Sequence, residues 1–224
     1  MRLKQKLYWA VIASVVLIFV AEPVFADLCG GPLSNNNFRR PLDYTSDQDK
    51  YGFGEGRWNK LALVEDNHFN ADVEMLKGGI MGPLPQDIHY TLMHFPNHYR
   101  ALHSMAKWHL ANPNPDDEEC QCVEWVLPAE CYFTRAITFT PEDPVLYYIL
   151  GIYLHSAGEL ARSLDAYGDA LKLGADFAEY HYNYGLLLVD MKDYEGAREQ
   201  ATLAYTKGAP FPGLRNKLER LGEW

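Results

Sequence analysis

The 224-residue chain has little positive charge: 20 Lys and Arg stand against 30 Asp and Glu, a formal net charge of −10. This balance has the wrong sign for a protein that binds phosphates through massed basic residues, so we expect no nucleic-acid partner. Apolar residues make up 48% and charged residues 22% of the chain, which excludes collagen-like, low-complexity and wholly disordered classes. The length allows one domain or two.

The sequence also lacks the short motifs that mark common enzymes and cofactor proteins. It has no Gly-x-Ser-x-Gly elbow, no Walker loop, no His-Glu-x-x-His and no haem-attachment Cys-x-x-Cys-His. The acidic run 116–119 lacks the alternating oxygen ligands and Gly-centred turn of a calcium loop. We therefore expect no enzyme, no cofactor and no metal site of these kinds.

The N-terminus carries an uncharged apolar run that is too short to be a membrane span. Residues 7–21 follow Arg2, Lys4 and Lys6 and precede a small-residue site that ends at Ala26. A helix needs roughly 20 apolar residues to cross a bilayer, whereas a basic start and a small-residue end are typical of a cleaved signal peptide. We expect residues 1–26 to be removed, leaving no transmembrane segment and a periplasmic or secreted product.

A repeat of 34 residues is the strongest pattern in the chain. The stretch that begins at Pro144 aligns with the stretch that begins at Ala178. The aligned pairs are Leu150-Gly151 with Tyr184-Gly185, Leu154 with Leu188, Tyr167 with Ala201, and Ala170 with Ala204. Stepping back by the same period places Phe133, Ala136 and Pro141 at the end of an earlier unit, whose first helix is displaced by an insertion of about 11 residues.

Each copy of the repeat reads as two helices. Apolar residues recur at helical spacing in both halves: Tyr147, Leu150 and Leu154, then Leu160, Leu164, Tyr167 and Leu171. Small residues at 151 and 170 allow the paired helices to approach closely. Helix ends are predicted at Gly158, Gly174 and Gly208, and helix starts at Asp143-Pro144 and at an Asp176–Glu179 capping box.

The region from about 99 to 209 resembles the tetratricopeptide repeat family, on the strength of Tyr147-x2-Leu150-Gly151, Tyr184-Gly185 and the alanines at 170, 197 and 204. The resemblance implies an all-α fold, a right-handed solenoid of helical hairpins. The sequence departs from the family pattern at His181, where a large apolar residue is usual, and at Ser163. Ala175 and Ala209 stand where the family has a closing proline.

The expected organisation follows from this alignment. It comprises a signal peptide (1–26), an irregular N-terminal arm (27–66), a degenerate helical hairpin (67–97), a repeat-like unit with an inserted loop at 112–127 (98–141), two repeats (144–177 and 178–211) and a capping helix (213–224). The arm contains a run rich in glycine and aromatic residues, 51–58, without sustained periodicity.

The resemblance also implies a groove that is lined by the first helix of each unit and binds a peptide segment or chain terminus. The residues that this frame turns toward a partner are Arg100, His103, Lys107, Tyr148, Ile152, His155, Tyr182, Asn183, Leu186 and Asp190. Arg100 or Lys107 would meet a carboxylate, and Asn183 would hydrogen-bond a peptide backbone. We expect an exported scaffold that assembles protein partners, possibly as a homo-oligomer.

Four cysteines, Cys29, Cys120, Cys122 and Cys131, remain after the signal, and an even number in an oxidising compartment predicts two disulfides. Cys120 and Cys122 are too close to bond each other without strain. A Cys29–Cys131 bond, which would tie the arm to the repeats, is favoured over a bond from Cys131 to Cys120 or Cys122. Two alternative functions stay open: a redox or metal-binding accessory protein using Cys120, Cys122 and nearby histidines, and a self-assembling structural subunit.

Overall fold

The computed structural model describes residues 29, 40–52, 59–113 and 126–224, and every regular element within these ranges is an α-helix. The signal segment 1–26, the acidic run 116–119, most of the inserted loop and Cys120 and Cys122 lie outside the described residues. The helices are α1 (Asp47–Tyr51), α2 (Lys60–His68), α3 (Ala71–Glu74), α4 (Leu84–His94), α5 (Tyr99–Ala111), α6 (Ala129–Phe139), α7 (Pro144–Ser156), α8 (Leu160–Lys172), α9 (Ala178–Asp190), α10 (Tyr194–Thr206) and α11 (Gly213–Leu221).

Two of these helices lie in the segment 27–66 that was expected to be irregular, so that expectation needs correcting. Each begins at a capping side chain: Ser46 accepts from the N–H of Asp49, and Asn59 accepts from the N–H of Ala62. The helices α1 and α2 have five and nine residues, too few to show a sustained apolar period. They pack against each other, and α2 packs on α4.

The segment 40–46 is bound along the turn between α4 and α5. The N–H of Leu42 donates to the carbonyl of His94 (2.8 Å), and that of Tyr44 donates to Oδ1 of Asn97 (2.9 Å). The Asn97 amide in turn donates to the Asp43 carboxylate (2.7 Å). These contacts join residues more than 50 positions apart, so the segment is fixed by side chains rather than by a helical stripe.

The two helix pairs α7–α8 and α9–α10 repeat at a spacing of 34 residues. Their first helices begin at 144 and 178, their second helices at 160 and 194, and all four have 13 residues. The turns repeat too. Gly158 and Lys192 have φ of 81° and 65°, and Gly174 and Gly208 have φ of 93° and 90°. The left-handed backbone that ends each helix therefore recurs in register, at one position without glycine.

Small residues bring the paired helices together. A Cβ on Gly151 would lie 2.9 Å from the ring of Tyr167, so this glycine lets the ring of α8 lie against the backbone of α7. Beside it, the Ser163 hydroxyl donates to the Gly151 carbonyl (2.8 Å). The serine that departs from the family pattern is thus buried and satisfied between the two helices.

The start of α9 differs from the predicted capping box. Phe177 is the N-cap residue and makes no side-chain capping bond. The Asp176 carboxylate instead contacts the buried ring of His181 (2.8 Å) and the Lys207 ammonium (2.8 Å). The buried histidine draws this carboxylate away from the helix terminus, because a buried imidazole N–H needs an acceptor.

The first helices of successive units form a row. Contacts run from α5 to α7, from α7 to α9 and from α9 to α11, while α3 contacts α5 at the other end. The last helix, α11, buries Leu214 and Leu218. No helix in the described ranges combines the length and the apolar character that a bilayer crossing requires.

Candidate binding surface

The ten residues predicted to line a groove all lie on α5, α7 and α9, and we call their common side the first-helix face. Four of them, Arg100, His103, Lys107 and Asp190, are exposed. The other six are half-buried: Tyr148, Ile152, His155, Tyr182, Asn183 and Leu186. Most of the half-buried residues touch the neighbouring helix, so much of this face binds the protein to itself.

Arg100 is held by two carboxylates. Its guanidinium forms a two-pronged contact with Glu74, with Nε to Oε1 at 2.8 Å, and a further bond to Glu65 at 3.2 Å. The hydrogen bonds to Glu74 raise the pKa of Arg100 above its ordinary value. Its planar group lies 5.5 Å from the centre of the Phe69 ring. Arg100 therefore ties α5 to α2 and α3, and it is not free to meet a partner's carboxylate.

Tyr148 and Asn183 join α7 to α9. The Asn183 amide donates to the Tyr148 hydroxyl (2.9 Å) and to the Glu179 carbonyl (2.9 Å), which uses both of its N–H donors. Burial raises the pKa of Tyr148 to about 12. Asn183 can thus offer a partner only its carbonyl oxygen, which has no hydrogen bond from the described residues.

A three-residue bridge continues the connection to the last helix. His155 Nε2 lies 3.0 Å from one oxygen of Asp190, and the Lys217 ammonium lies 2.6 Å from the other. Burial opposes the charged carboxylate, but Lys217 and His155 outweigh it and lower the pKa of Asp190. One carboxylate therefore links α7, α9 and α11.

The remaining apolar members of the face also pack inward. Ile152 contacts the cluster around Tyr167, and Leu186 the cluster around Leu188. Tyr182 passes close to the start of α11, where a Cβ on Gly213 would lie 2.5 Å from its hydroxyl oxygen. Its ring contacts Phe211 at 5.3 Å.

His103 and Lys107 differ from the rest of the face. Both are exposed on α5, and neither forms a hydrogen bond or an ion pair with the described residues. They leave one basic end of the face available to a partner. Lys217, Glu65 and Glu74, which organise the same face, were missed from the sequence because their partners are 26 to 35 positions away and no local pattern links them.

An open cleft of about 460 Å³ lies beside the base of α5. It is lined by Thr45, Tyr99, Thr140, Pro141, Glu142, Asp143 and Pro144. The Tyr99 hydroxyl donates to the Asp143 carboxylate (2.6 Å), which also caps α7. This carboxylate is therefore occupied by the fold on two sides.

The structure places Cys29 and Cys131 in a disulfide that spans 102 positions. Arg135, one turn further along α6, donates to the carbonyl of Cys29 (3.3 Å). The N-terminal arm is thus joined to α6 by both a covalent bond and a hydrogen bond. Among the described residues, no three His, Cys, Asp or Glu side chains gather as metal ligands.

The histidines of α4 and α5 have separate partners. His89 Nδ1 contacts the Tyr132 hydroxyl (2.6 Å), His94 Nδ1 the carbonyl of Tyr90 (2.9 Å), and His98 Nε2 the Glu65 carboxylate (3.0 Å). They serve packing between helices rather than one shared site. Comparison of the chain with models of known families, and with curated proteins, finds no match.

Proposed function

We propose that this chain is an exported scaffold of the tetratricopeptide type, which holds a protein or peptide partner along the first-helix face. The observation that carries the proposal is the repetition of the pairs α7–α8 and α9–α10 at 34 residues, in helix bounds and in turn conformation. That period and the helix-turn-helix unit are those of the tetratricopeptide repeat. Such proteins bind other proteins through the surface that their stacked units form.

The bonds between successive first helices support this function, because they fix the surface before any partner arrives. The contacts Tyr148–Asn183 and His155–Asp190–Lys217 each join one unit to the next. A surface that is already ordered loses less conformational entropy on binding. The groups left for a partner are the cations at His103 and Lys107, the apolar surface of Ile152 and the Asn183 carbonyl.

Export is the second part of the proposal. It rests on the signal-like segment 1–26 and on the disulfide between Cys29 and Cys131, since disulfides persist in oxidising compartments. The cysteine nearest the proposed cleavage point forms that bond. We place the mature protein in the periplasm or outside the cell.

Site-specific photocrosslinking tests the proposed face. A photoreactive side chain at Ile152 should capture a partner from the envelope fraction, and the same group at the exposed Leu203 of α10 should not. Lys107→Glu combined with Ile152→Arg should abolish the capture while the helical circular dichroism stays unchanged. Arg100, Tyr148 and Tyr182 are unsuitable for this test, because their replacement would break contacts within the protein.

Equal capture from both positions, or capture that survives the double substitution, would remove the first-helix face as the binding surface. Export has its own test. N-terminal sequencing of the mature protein should begin near Asp27, and a product that retains residues 1–26 would contradict the cleavage.

A further inference from the structure

The two ends of the row of helices each expose a group of large apolar side chains. At the leading end, formed by α2, α3 and the turn to α4, Met75, Ile80 and Met81 are 52%, 38% and 67% exposed. At the trailing end, formed by α11 and its flanks, Phe211, Leu221 and Trp224 are 45%, 50% and 48% exposed. The contacts from α3 through α5, α7 and α9 to α11 place these groups at opposite ends of the row.

The leading end is held in a fixed conformation by a buried carboxylate. Asp87 is completely buried and accepts the backbone N–H groups of Ile80 (2.5 Å) and Met81 (3.1 Å), while its other oxygen contacts His68 (2.7 Å). A Cβ on Gly79 would lie 2.0 Å from a carbonyl of the same turn, so the turn admits only glycine there. A buried carboxylate with three partners leaves the turn little freedom, and the exposed side chains are therefore presented in one arrangement.

The trailing end is ordered by a stacked cation. The Arg215 guanidinium lies 4.7 Å from the centre of the Tyr205 ring and 4.9 Å from that of Trp224. The Tyr205 hydroxyl also accepts the N–H of Arg215 (3.0 Å) and donates to the carbonyl of Phe211 (3.1 Å). Trp224 and Phe211 are thus positioned by the same tyrosine while half of each side chain stays exposed.

The two ends have opposite charge. Residues 59–82 contain four acidic and two basic residues, and residues 207–224 contain four basic and two acidic residues. Two of the acids at the leading end, Glu65 and Glu74, are partly neutralised by Arg100, whereas Asp66 and Asp72 are exposed. At the trailing end Arg220 is exposed. Complementary charge around two apolar groups is the arrangement that favours association of one end with the other.

We propose that the leading end of one copy binds the trailing end of a second copy. Methionine side chains would lie against Trp224, a contact in which sulfur and aromatic ring attract each other. Because two different surfaces meet, the contact repeats from copy to copy and gives open chains rather than closed dimers. Each apolar group is small, so we expect a dissociation constant of about 100 µM. This association does not involve the first-helix face and stands apart from the proposed scaffold function.

Sedimentation velocity of the purified protein tests the proposal. The average mass should rise beyond that of a dimer between about 1 µM and about 1 mM, and should fall when salt is added, because surface charges are then screened. Met81→Glu blocks the leading end and Trp224→Glu the trailing end, so each variant alone should remain monomeric. Leu203→Glu, at an exposed leucine of α10, is the matched control and should associate like the unmodified protein.

A mixture of the two blocked variants decides between geometries. Each retains the end that the other lacks, so the mixture should form dimers and nothing larger. An unmodified protein that stays monomeric throughout, a blocked variant that still dimerises with itself, or a mixture that remains monomeric would each overturn the proposal. Circular dichroism of each variant verifies that it is folded before its mass is interpreted.

Discussion

The N-terminal region (α1–α6) and the repeat region (α7–α10) are both helical, but different interactions hold them together. Of the ten buried polar or charged residues in the described part of the chain, two lie in the repeat region, Ser163 and His181. The other eight lie in the N-terminal region: Asp49, Asp87, Thr91, His94, Asn97, His98, Ser104 and Arg135. The repeat region is built on apolar and small side chains, and the N-terminal region adds specific polar bonds.

Helix length explains this difference. The four repeat helices have 13 residues each and bury a continuous stripe against a partner of equal length. Helices α1 and α3 have five and four residues, too short to be stable by themselves, because starting a helix is costly. Short helices need capping side chains and long-range bonds, and the buried polar groups supply them.

The largest expected effect tests the covalent part of this difference. Replacing both Cys29 and Cys131 with serine removes a cross-link that spans 102 positions, and should lower the free energy of unfolding by about 4 kcal/mol. Urea unfolding of the variant and of the unmodified protein measures the loss. Hydrogen exchange should accelerate first in the helices that the arm contacts, α4 to α6. Equal acceleration in α9 and α10 would show that the two regions unfold as one unit.

A drop in pH should separate the regions by their histidines. Burial lowers the pKa of His89 to about 4, and it also lowers the pKa of His94 and His98. A histidine whose folded pKa is depressed stabilises the protein above its unfolded pKa of about 6.5 and loses that contribution as the pH falls toward the folded value. Between pH 7 and pH 5, His89 alone should remove about 2 kcal/mol.

The matched variant for this prediction is His89→Gln, whose amide can still bond the Tyr132 hydroxyl but does not titrate. Urea unfolding at pH 7 and at pH 5 should show a smaller acid-induced loss in the variant. An unchanged loss would mean that His89 is already protonated in the folded protein. Hydrogen exchange at pH 5 adds the regional test, since α4 to α6 should open before α9 and α10.

The glycines of one helix test the packing of the repeat region. In Gly151→Ala the new methyl group would lie 2.9 Å from the Tyr167 ring, and the overpacking should exceed the gain in helix propensity, for a net loss of about 1.5 kcal/mol. Gly168→Ala, also within a repeat helix, meets nothing within 4 Å and should gain about 1 kcal/mol. Thermal unfolding of the two variants compares them directly. Two shifts of the same sign would contradict the close approach of α7 and α8.

The same contrast decides how much could be predicted from the sequence. The repeat helices and their turns could be predicted, because Gly151, Gly185 and the apolar stripes recur at a fixed period. The helices at 47–51 and 60–68 could not, because their stability depends on bonds such as Tyr44 to Asn97 that join distant positions. For the first-helix face, the sequence indicates which side of each helix lies there. It does not show that Arg100 or Asp190 is already bound to other residues of the chain, because those partners are known only once the helices are packed.

The smallest expected effect distinguishes two tyrosines in the core of the repeat region. The hydroxyl of Tyr167 is buried and has no hydrogen-bond partner among the described residues, whereas that of Tyr180 donates to the Tyr167 carbonyl (3.0 Å). An unsatisfied buried hydroxyl costs free energy, so Tyr167→Phe should stabilise the protein by about 1 kcal/mol, and Tyr180→Phe should destabilise it by about 1 kcal/mol. Thermal unfolding of both variants measures the two shifts. A destabilised Tyr167→Phe variant would indicate that this hydroxyl has a partner, such as a buried water, and that the repeat region too depends on a specific polar bond.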